Sequence, residues 1–325
     1  MNLEFVRTLQ SIAKIEKDAH FQSKKYVVVD TEDQKVDPGE VPVVLKHPDQ
    51  VIVVSSPTGP AAPPSMGRYR FDQLSVALIW ASVISRYGLK GCSIVIYPGM
   101  YIDPTAALGP TDLNIGGLTW IKGFSLEIVG IENVRILNRY KLSALLVPAR
   151  ITFTVKNVLI YERPKLQLDK PPVSSNTILA FQAKVSLVDV RLNSSVHEPW
   201  RNVDGSELEA VNCTFLGYKE PFSVKDSKVV LENCRWTDID GVGSVGVGGV
   251  LLMRNSFISG KGHLAVWGQA TFHGCQFDFG PNYPHQGILT NSGGQLAMTD
   301  CSISGCHVAV AVRDSHSKVE MAEAS

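Results

Sequence analysis

The chain has 325 residues, and its 31 Lys+Arg balance 31 Asp+Glu, giving a formal net charge of zero. That balance speaks against nucleic acid and anionic membranes as partners, because both are usually met with a basic excess; no Lys/Arg run is visible. Hydrophobic content of 44% with 19% charged residues is ordinary for a folded chain of one or two domains.

From the N-terminus, Met1-Asn2-Leu3-Glu4-Phe5-Val6-Arg7 carries charges where a signal peptide needs its apolar region. The longest apolar run, Val76 to Ile84, is too short to cross a bilayer. The expected location is therefore cytoplasmic or, if the protein is viral, the virion. Residues 1–22 read as an amphipathic helix, and the stretches 26–29 and 51–54 as short strands, giving a small α/β extension over residues 1–54. Residues 55–70, with Ser-Ser-Pro-Thr-Gly-Pro-Ala-Ala-Pro-Pro-Ser-Met at 55–66, read as a Pro-rich linker.

A helix is expected over 71–87, with Leu74, Ala77, Leu78, Ala81 and Ile84 on one face and Gly88 beyond its end. A strand follows at Ser93-Ile94-Val95-Ile96-Tyr97 and runs into Pro98-Gly99-Met100-Tyr101.

From residue 131 onward one template recurs eight times: apolar, variable, Asn/Asp/Gly, small, variable, large apolar. The small residue falls at 134, 158, 190, 213, 234, 256, 275 and 301, at intervals of 24, 32, 23, 21, 22, 19 and 26. Fixed short strands joined by turns of variable length produce such a period, whereas helical repeats would need a 3.6-residue pattern that is absent. The long interval holds the polar stretch Lys165 to Asn176, with Pro171 and Pro172, expected to bulge from one coil.

Residues two before the Asn/Asp/Gly (Ile131, Val155, Leu187, Ala210, Leu231, Met253, Phe272, Met298) should point inward. So should those three after it (Ile136, Ile160, Leu192, Phe215, Trp236, Ile258, Phe277, Ile303). Between them the chain must bend, and Asn, Asp and Gly tolerate the left-handed conformation such a bend uses. Stacked asparagines can also hydrogen-bond from coil to coil.

The small residue sits just inside the corner, so Cys213, Cys234, Cys275 and Cys301 should form a core column, not a metal site. The six cysteines contain no C-x-x-C pair. A third strand per coil is visible at 144–147, 178–181, 264–267, 288–290 and 308–312, and residues 318–325 begin a further coil that stops. The predicted fold is an all-β right-handed parallel β-helix of about eight to nine coils over residues 71–325, with a capping helix at its start.

The apolar helix, the short strand, Pro98-Gly99-Met100-Tyr101 and Leu126-Glu127-Ile128-Val129-Gly130 together resemble the opening of pectin-lyase-like right-handed β-helices. They are most similar to the carbohydrate-binding and sugar-hydrolase (CASH) repeat type also found in F-box and SHC-binding β-helix proteins. The resemblance covers roughly 71–325 and implies that the helix caps the first coil. It implies less about function, because the fold hosts lyases, hydrolases, viral structural proteins and protein-binding modules.

Polygalacturonase-like members of that group pair carboxylates across neighbouring coils, with Asn-Thr-Asp, Asp-Asp, Gly-His-Gly and Arg-Ile-Lys elements. This chain offers Gly262-His263-Leu264 and Asn291-Ser292-Gly293 instead. The candidates for lyase chemistry are Asp238 and Asp240 with Arg235 and Asp278, set against a solvated turn as the plain alternative. Arg191 and Arg235, flanking Thr214, could suit an acidic ligand, and Trp200 a sugar or a partner. His263 and His307 are read as equivalent positions two coils apart, with His285 close by. No cofactor or metal is expected.

The expected function is a non-catalytic scaffold or protein-interaction element in a larger assembly, such as a viral capsid or cytoskeletal complex. Its protein partners would dock at the open C-terminal coil. The alternatives are a carbohydrate-active enzyme and a carbohydrate-binding module.

Overall fold

The computed structural model describes residues 45–56, 69–102, 120–138, 145–147, 150–162, 176–193, 198–203, 205–218 and 220–323. The helix expected at 1–22, the strand at 26–29, residues 57–68 of the linker and all but the last residue of the 165–176 bulge lie outside them. The described residues form a parallel β-solenoid with three faces.

Inside the edge strand Tyr69–Phe71, the first face stacks eleven more parallel strands. They are Val51–Val54, Gly91–Ile96, the first halves of Ser125–Asn138 and Thr152–Glu162, then Lys184–Val188, Glu207–Val211, Lys228–Glu232, Val250–Arg254, Gln269–His273, Gln295–Thr299 and Lys318–Ala322. The second face runs from Gly99–Ile102 through Arg191–Asn193 and Thr214–Leu216 to the start of Ser302–Val312. The third runs from Leu145–Val147 through Asn176–Phe181 and Glu198–Val203 to the end of Ser302–Val312. Coils at both ends of the described stack lack one or two faces, so coils are fewer than first-face strands.

Register is strict because, short of the strands at the two ends of the stack, one face of each strand is buried, and a one-residue slip would expose it. Ala210 lies opposite Leu187 on one side and Leu231 on the other, and all three are fully buried. The inward positions three residues past the corner behave alike: Ile136, Ile160, Leu192, Phe215, Trp236, Ile258 and Phe277 are buried. Phe215 stacks on Trp236 at 4.5 Å between ring centroids, and the Trp236 indole Nε1–H donates to the Pro221 carbonyl at 3.2 Å. Each such aromatic contributes about 1.5–3 kcal/mol of burial.

Ile131 departs from expectation. The pairing with the next coil shifts between Val129 and Val134, so Ile128, opposite Val155, takes the inward place. Ile131 sits in the irregularity and packs outside the first face against the cluster of Val51, Val53, Val95 and Tyr97.

The corner between first and second faces is the expected one. Asn157, Asp189, Asn212, Asn233, Asn255, Gly274 and Asp300 all have φ between 46° and 60°. Their backbone N–H groups point along the stack, as in Asn212 N–H to the Glu232 carbonyl at 3.0 Å and Asn233 N–H to Arg254 at 3.1 Å. Side chains also connect coils: Asn212 Nδ2 donates to Asp189 Oδ1 at 3.2 Å, and Asn233 Nδ2 to Asn212 Oδ1 at 3.3 Å.

The helix α1 (Leu74–Arg86) is buried on nearly all sides and belongs to the main apolar core. Gly88 follows it with φ of 81°, and its N–H reaches the Ser85 carbonyl at 3.1 Å. Val51–Val54 is hydrogen-bonded into the first face, between Tyr69–Phe71 and Gly91–Ile96. Among the described residues no helix is long and apolar enough to cross a membrane.

Candidate functional site

Arg191, Thr214 and Arg235 share one register position on the second face, each in the next coil. Phe257 is the next in line, and the Arg235 guanidinium lies over its ring at 4.9 Å, a cation–π contact that occupies the arginine.

Asp238 is exposed and left-handed, with φ of 58°, at the bend leading from second to third face. In the same bend the Gly217 N–H of the preceding coil donates to the Thr237 carbonyl at 3.1 Å. Asp240 is exposed, lies opposite Lys261, and donates its backbone N–H to Tyr218 at 3.3 Å. Asp278 Oδ1 accepts from the Gly280 N–H at 3.2 Å and the Ser304 hydroxyl at 3.4 Å, closing its own turn. Asp238 and Asp278 stand two coils apart, about 10 Å at the spacing of stacked strands. Of the three carboxylates, that of Asp278 is engaged by hydrogen bonds at its own turn, and those of Asp238 and Asp240 face outward from theirs. Trp200 lies opposite Ile178 in the third face, and its side chain is outside the described residues.

His263 and His307 are not equivalent. Leu264 pairs with Ile288 and Ile288 with Val310, so Ala309, not His307, stands two coils beyond His263. The reason is a pair of register shifts in this coil, between Asp278 and Tyr283 and between Tyr283 and Gln286. His263 lines an apolar cavity of about 10 Å³ beside Phe222, Phe277 and Phe279, too small for more than one water.

All six cysteines are free, and Cys213, Cys234, Cys275 and Cys301 form the expected column. Their thiols reach backbone carbonyls: Cys213 to Val211 at 3.3 Å, Cys234 to Ala210 at 3.3 Å, Cys275 to Met253 at 3.4 Å and Cys301 to Thr299 at 3.2 Å. Ser256 fills the same column with its hydroxyl on Arg254 at 2.7 Å. Among the described residues no group of three His, Cys, Asp or Glu side chains could hold a metal.

Two features escape a reading of the sequence. The first is a charged cluster on the outer side of the first face, where residues 45–50 pass over the opening coils. Glu127, with 0% exposure, lies in register with Ser93 and Thr154. Its Oε2 accepts from the Ser93 hydroxyl at 2.7 Å and the Lys46 N–H at 2.8 Å, and its Oε1 pairs with Lys156 Nζ at 2.9 Å. Lys46 Nζ continues to the Thr154 hydroxyl at 2.8 Å. Burial favours the neutral acid, but Lys156, Ser93 and the Lys46 N–H outweigh it and hold the carboxyl below its ordinary value. Beside it the His47 imidazole sits lower than usual, chiefly because burial disfavours its cation, against the raising pull of Glu127. The Glu127 carboxylate is closed to solvent while Lys46 and Lys156 reach it from the surface, so the cluster clasps chain to sheet.

The second feature is a notch at the corner between third and first faces. Four residues connect Val245 to Val250 and four connect Thr290 to Gln295, but only Trp267 and Gly268 connect Val266 to Gln269. A short turn between two longer ones leaves a recess one coil high. Its volume is about 240 Å³, lined by Gly248, Gly249, Val250, Trp267, Gly268, Gln269, Gly293 and Gln295. The turn lengths were countable in the sequence once the coils were aligned.

Comparison with protein-family models, curated proteins and solved structures gives no match to this chain.

Proposed function

We propose that this solenoid is a non-catalytic scaffold of the pectin-lyase-like, CASH-repeat kind, acting as a protein-interaction element in a larger assembly such as a capsid or cytoskeletal complex. The reading is carried by the contrast between the two ends of the described stack. At one end α1 packs into the core and covers it. At the other, Ile303, Cys306, Val310 and Val319 are only partly buried, and Met321 is 67% exposed. Among the described residues the strand Lys318–Ala322 pairs only with Gln295–Thr299, which leaves a second edge for an incoming strand.

An added strand would satisfy that edge and cover the apolar rim in one step. Co-purification from the native source, followed by cross-linking and mass spectrometry, tests the proposal. The expected result is a protein partner cross-linked through Lys318, and its loss in a Val319→Lys, Met321→Lys double variant. Recovery of a lone monomer that degrades polyuronides contradicts the scaffold reading.

A further inference from the structure

We propose that the outer side of the second face docks an acidic protein segment in polyproline II conformation, with carboxylates at every third residue. Register makes the surface. Arg135, Leu159, Arg191, Thr214 and Arg235 hold one position in successive strands of that face, and Phe257 follows. Arginine therefore returns at every second coil, about 9.6 Å apart for a strand spacing of about 4.8 Å. All three arginines are exposed, and among the described residues none of them forms an ion pair with a carboxylate.

The spacing selects the partner's conformation. A polyproline II helix has three residues per turn and rises about 3.1 Å per residue, so every third side chain returns to one side at about 9.3 Å. From Arg135 to Arg235 the accumulated mismatch is only about 0.6 Å. A β-strand returns every second residue, at about 6.6 Å, and misses the next arginine by about 3 Å. An α-helix returns every seventh residue, at about 10.5 Å, and slips by about 1.8 Å over the same two steps while its stripe drifts sideways. A segment running along the stack also crosses strands whose edges are already paired with each other, so it gains no ladder. Polyproline II needs none, because its backbone stays solvated.

The side chains select the charge. Each guanidinium is a planar fork that takes a carboxylate through two N–H donors. Arg235 is already oriented: the Phe257 ring covers one plane of its guanidinium at 4.9 Å and leaves the N–H edge open. Leu159 and Thr214, both half-buried, present methyl groups to the residues between the carboxylates. Asp189 and Asp238 stand at the bends on either side of the face, and Asp189 is held by Asn212. These two carboxylates repel a broad polyanion and leave one line of positive charge along the arginines. A narrow acidic segment fits that line.

This docking face rests on the reading of the solenoid as a protein-interaction element, yet it lies apart from the open end. The test titrates the full chain into a fluorescent peptide, Glu-Pro-Pro-Glu-Pro-Pro-Glu, and into Pro-Pro-Glu-Glu-Glu-Pro-Pro, which has the same composition and charge. Fluorescence anisotropy should show saturable binding of the spaced peptide, about fivefold tighter than the clustered one. Binding should weaken between about 0.05 and 0.2 M salt, because the pairs are exposed. Arg135→Ala and Arg235→Ala should each weaken it about threefold, and Arg191→Glu about tenfold or more, with unchanged circular dichroism. Equal affinity for the two peptides overturns the proposal, as does native-like binding by Arg191→Glu. Tighter binding of oligogalacturonate or oligothymidylate in competition with the peptide also overturns it, and assigns the arginines to an acidic sugar or a nucleic acid. Any of these results leaves the cross-link at Lys318 standing, whereas absence of that cross-link leaves peptide binding at the arginines unchanged.

Discussion

Replacing Glu127 by alanine should detach the segment that crosses the first coils. The substitution removes a carboxylate with no exposure of its own and strips partners from Ser93, Lys156 and the Lys46 N–H at once. Breaking a buried pair by removing one partner costs about 3–5 kcal/mol. Here the lower figure applies, because the Lys156 side chain keeps 25% of its surface and can turn to water. Glu127→Gln keeps oxygen and nitrogen in place but loses the ionic component, for a cost of about 2 kcal/mol.

The pH dependence follows from the depressed carboxyl. Its stabilisation is fully present above the unfolded pKa of about 4.3 and is lost as pH falls through the lower folded value. The gap between the native chain and Glu127→Gln should thus widen somewhat as pH falls through the histidine range, where Glu127 favours the His47 cation, and close in stronger acid. Urea unfolding across that pH range measures it, together with amide exchange over residues 45–50. A cost below about 1 kcal/mol for Glu127→Ala, or a gap that persists undiminished in acid, would refute the clasp.

Asn233→Ala should cost about 1–2 kcal/mol for its left-handed backbone, and Asn233→Gly clearly less, as read by denaturant midpoints. Gly91→Ala places a methyl against the His47 ring and the Ser125 carbonyl; it should destabilise by about 1–3 kcal/mol and expose residues 45–50 to protease. Native-state alkylation followed by peptide mass mapping should modify the partly exposed Cys301 and Cys306 before the buried four. Burial raises the Cys92 thiol and pushes that of Cys275 up to about 11, so both hold little thiolate near neutrality. Cys234→Ser should stay folded within about 1.5 kcal/mol, since Ser256 already fills the same column with a hydroxyl.

The corner at Asn157, Asp189, Asn212, Asn233, Asn255, Gly274 and Asp300 was legible because few residue types accept its backbone conformation. The small column beside it was legible for a steric reason. The corner between third and first faces left no such trace. Arg150 and Gln182 adopt φ of 66° and 45° there, and Gly205 and Asp226 follow at 78° and 46°, so the conformation is shared but the residue type is not. Connections among them run through the backbone, as in Gly205 N–H to the Asp226 carbonyl at 2.8 Å, and backbone bonds impose no side-chain pattern.

Glu127 was hidden for a different reason. In Leu126-Glu127-Ile128 it has the alternation of a solvated outer position, and what buries it is the segment carrying Lys46, 81 residues earlier. The notch was hidden because its shape comes from the difference between neighbouring turns, a quantity that exists only once the coils are aligned. The long first-face ladder was visible as a period, but its extension to Val51–Val54 was not, since a four-residue apolar strand carries no corner of its own.

Distances along one column test the stacked register most directly. Lys184, Glu207, Lys228, Val250, Gln269, Gln295 and Lys318 occupy one position in successive strands of the first face. Paired spin labels measured by electron double resonance should give about 10 Å for Lys184 with Lys228, about 19 Å with Gln269 and about 29 Å with Lys318, one strand spacing per coil. Separations that fail to grow linearly with coil number would contradict a parallel, in-register solenoid.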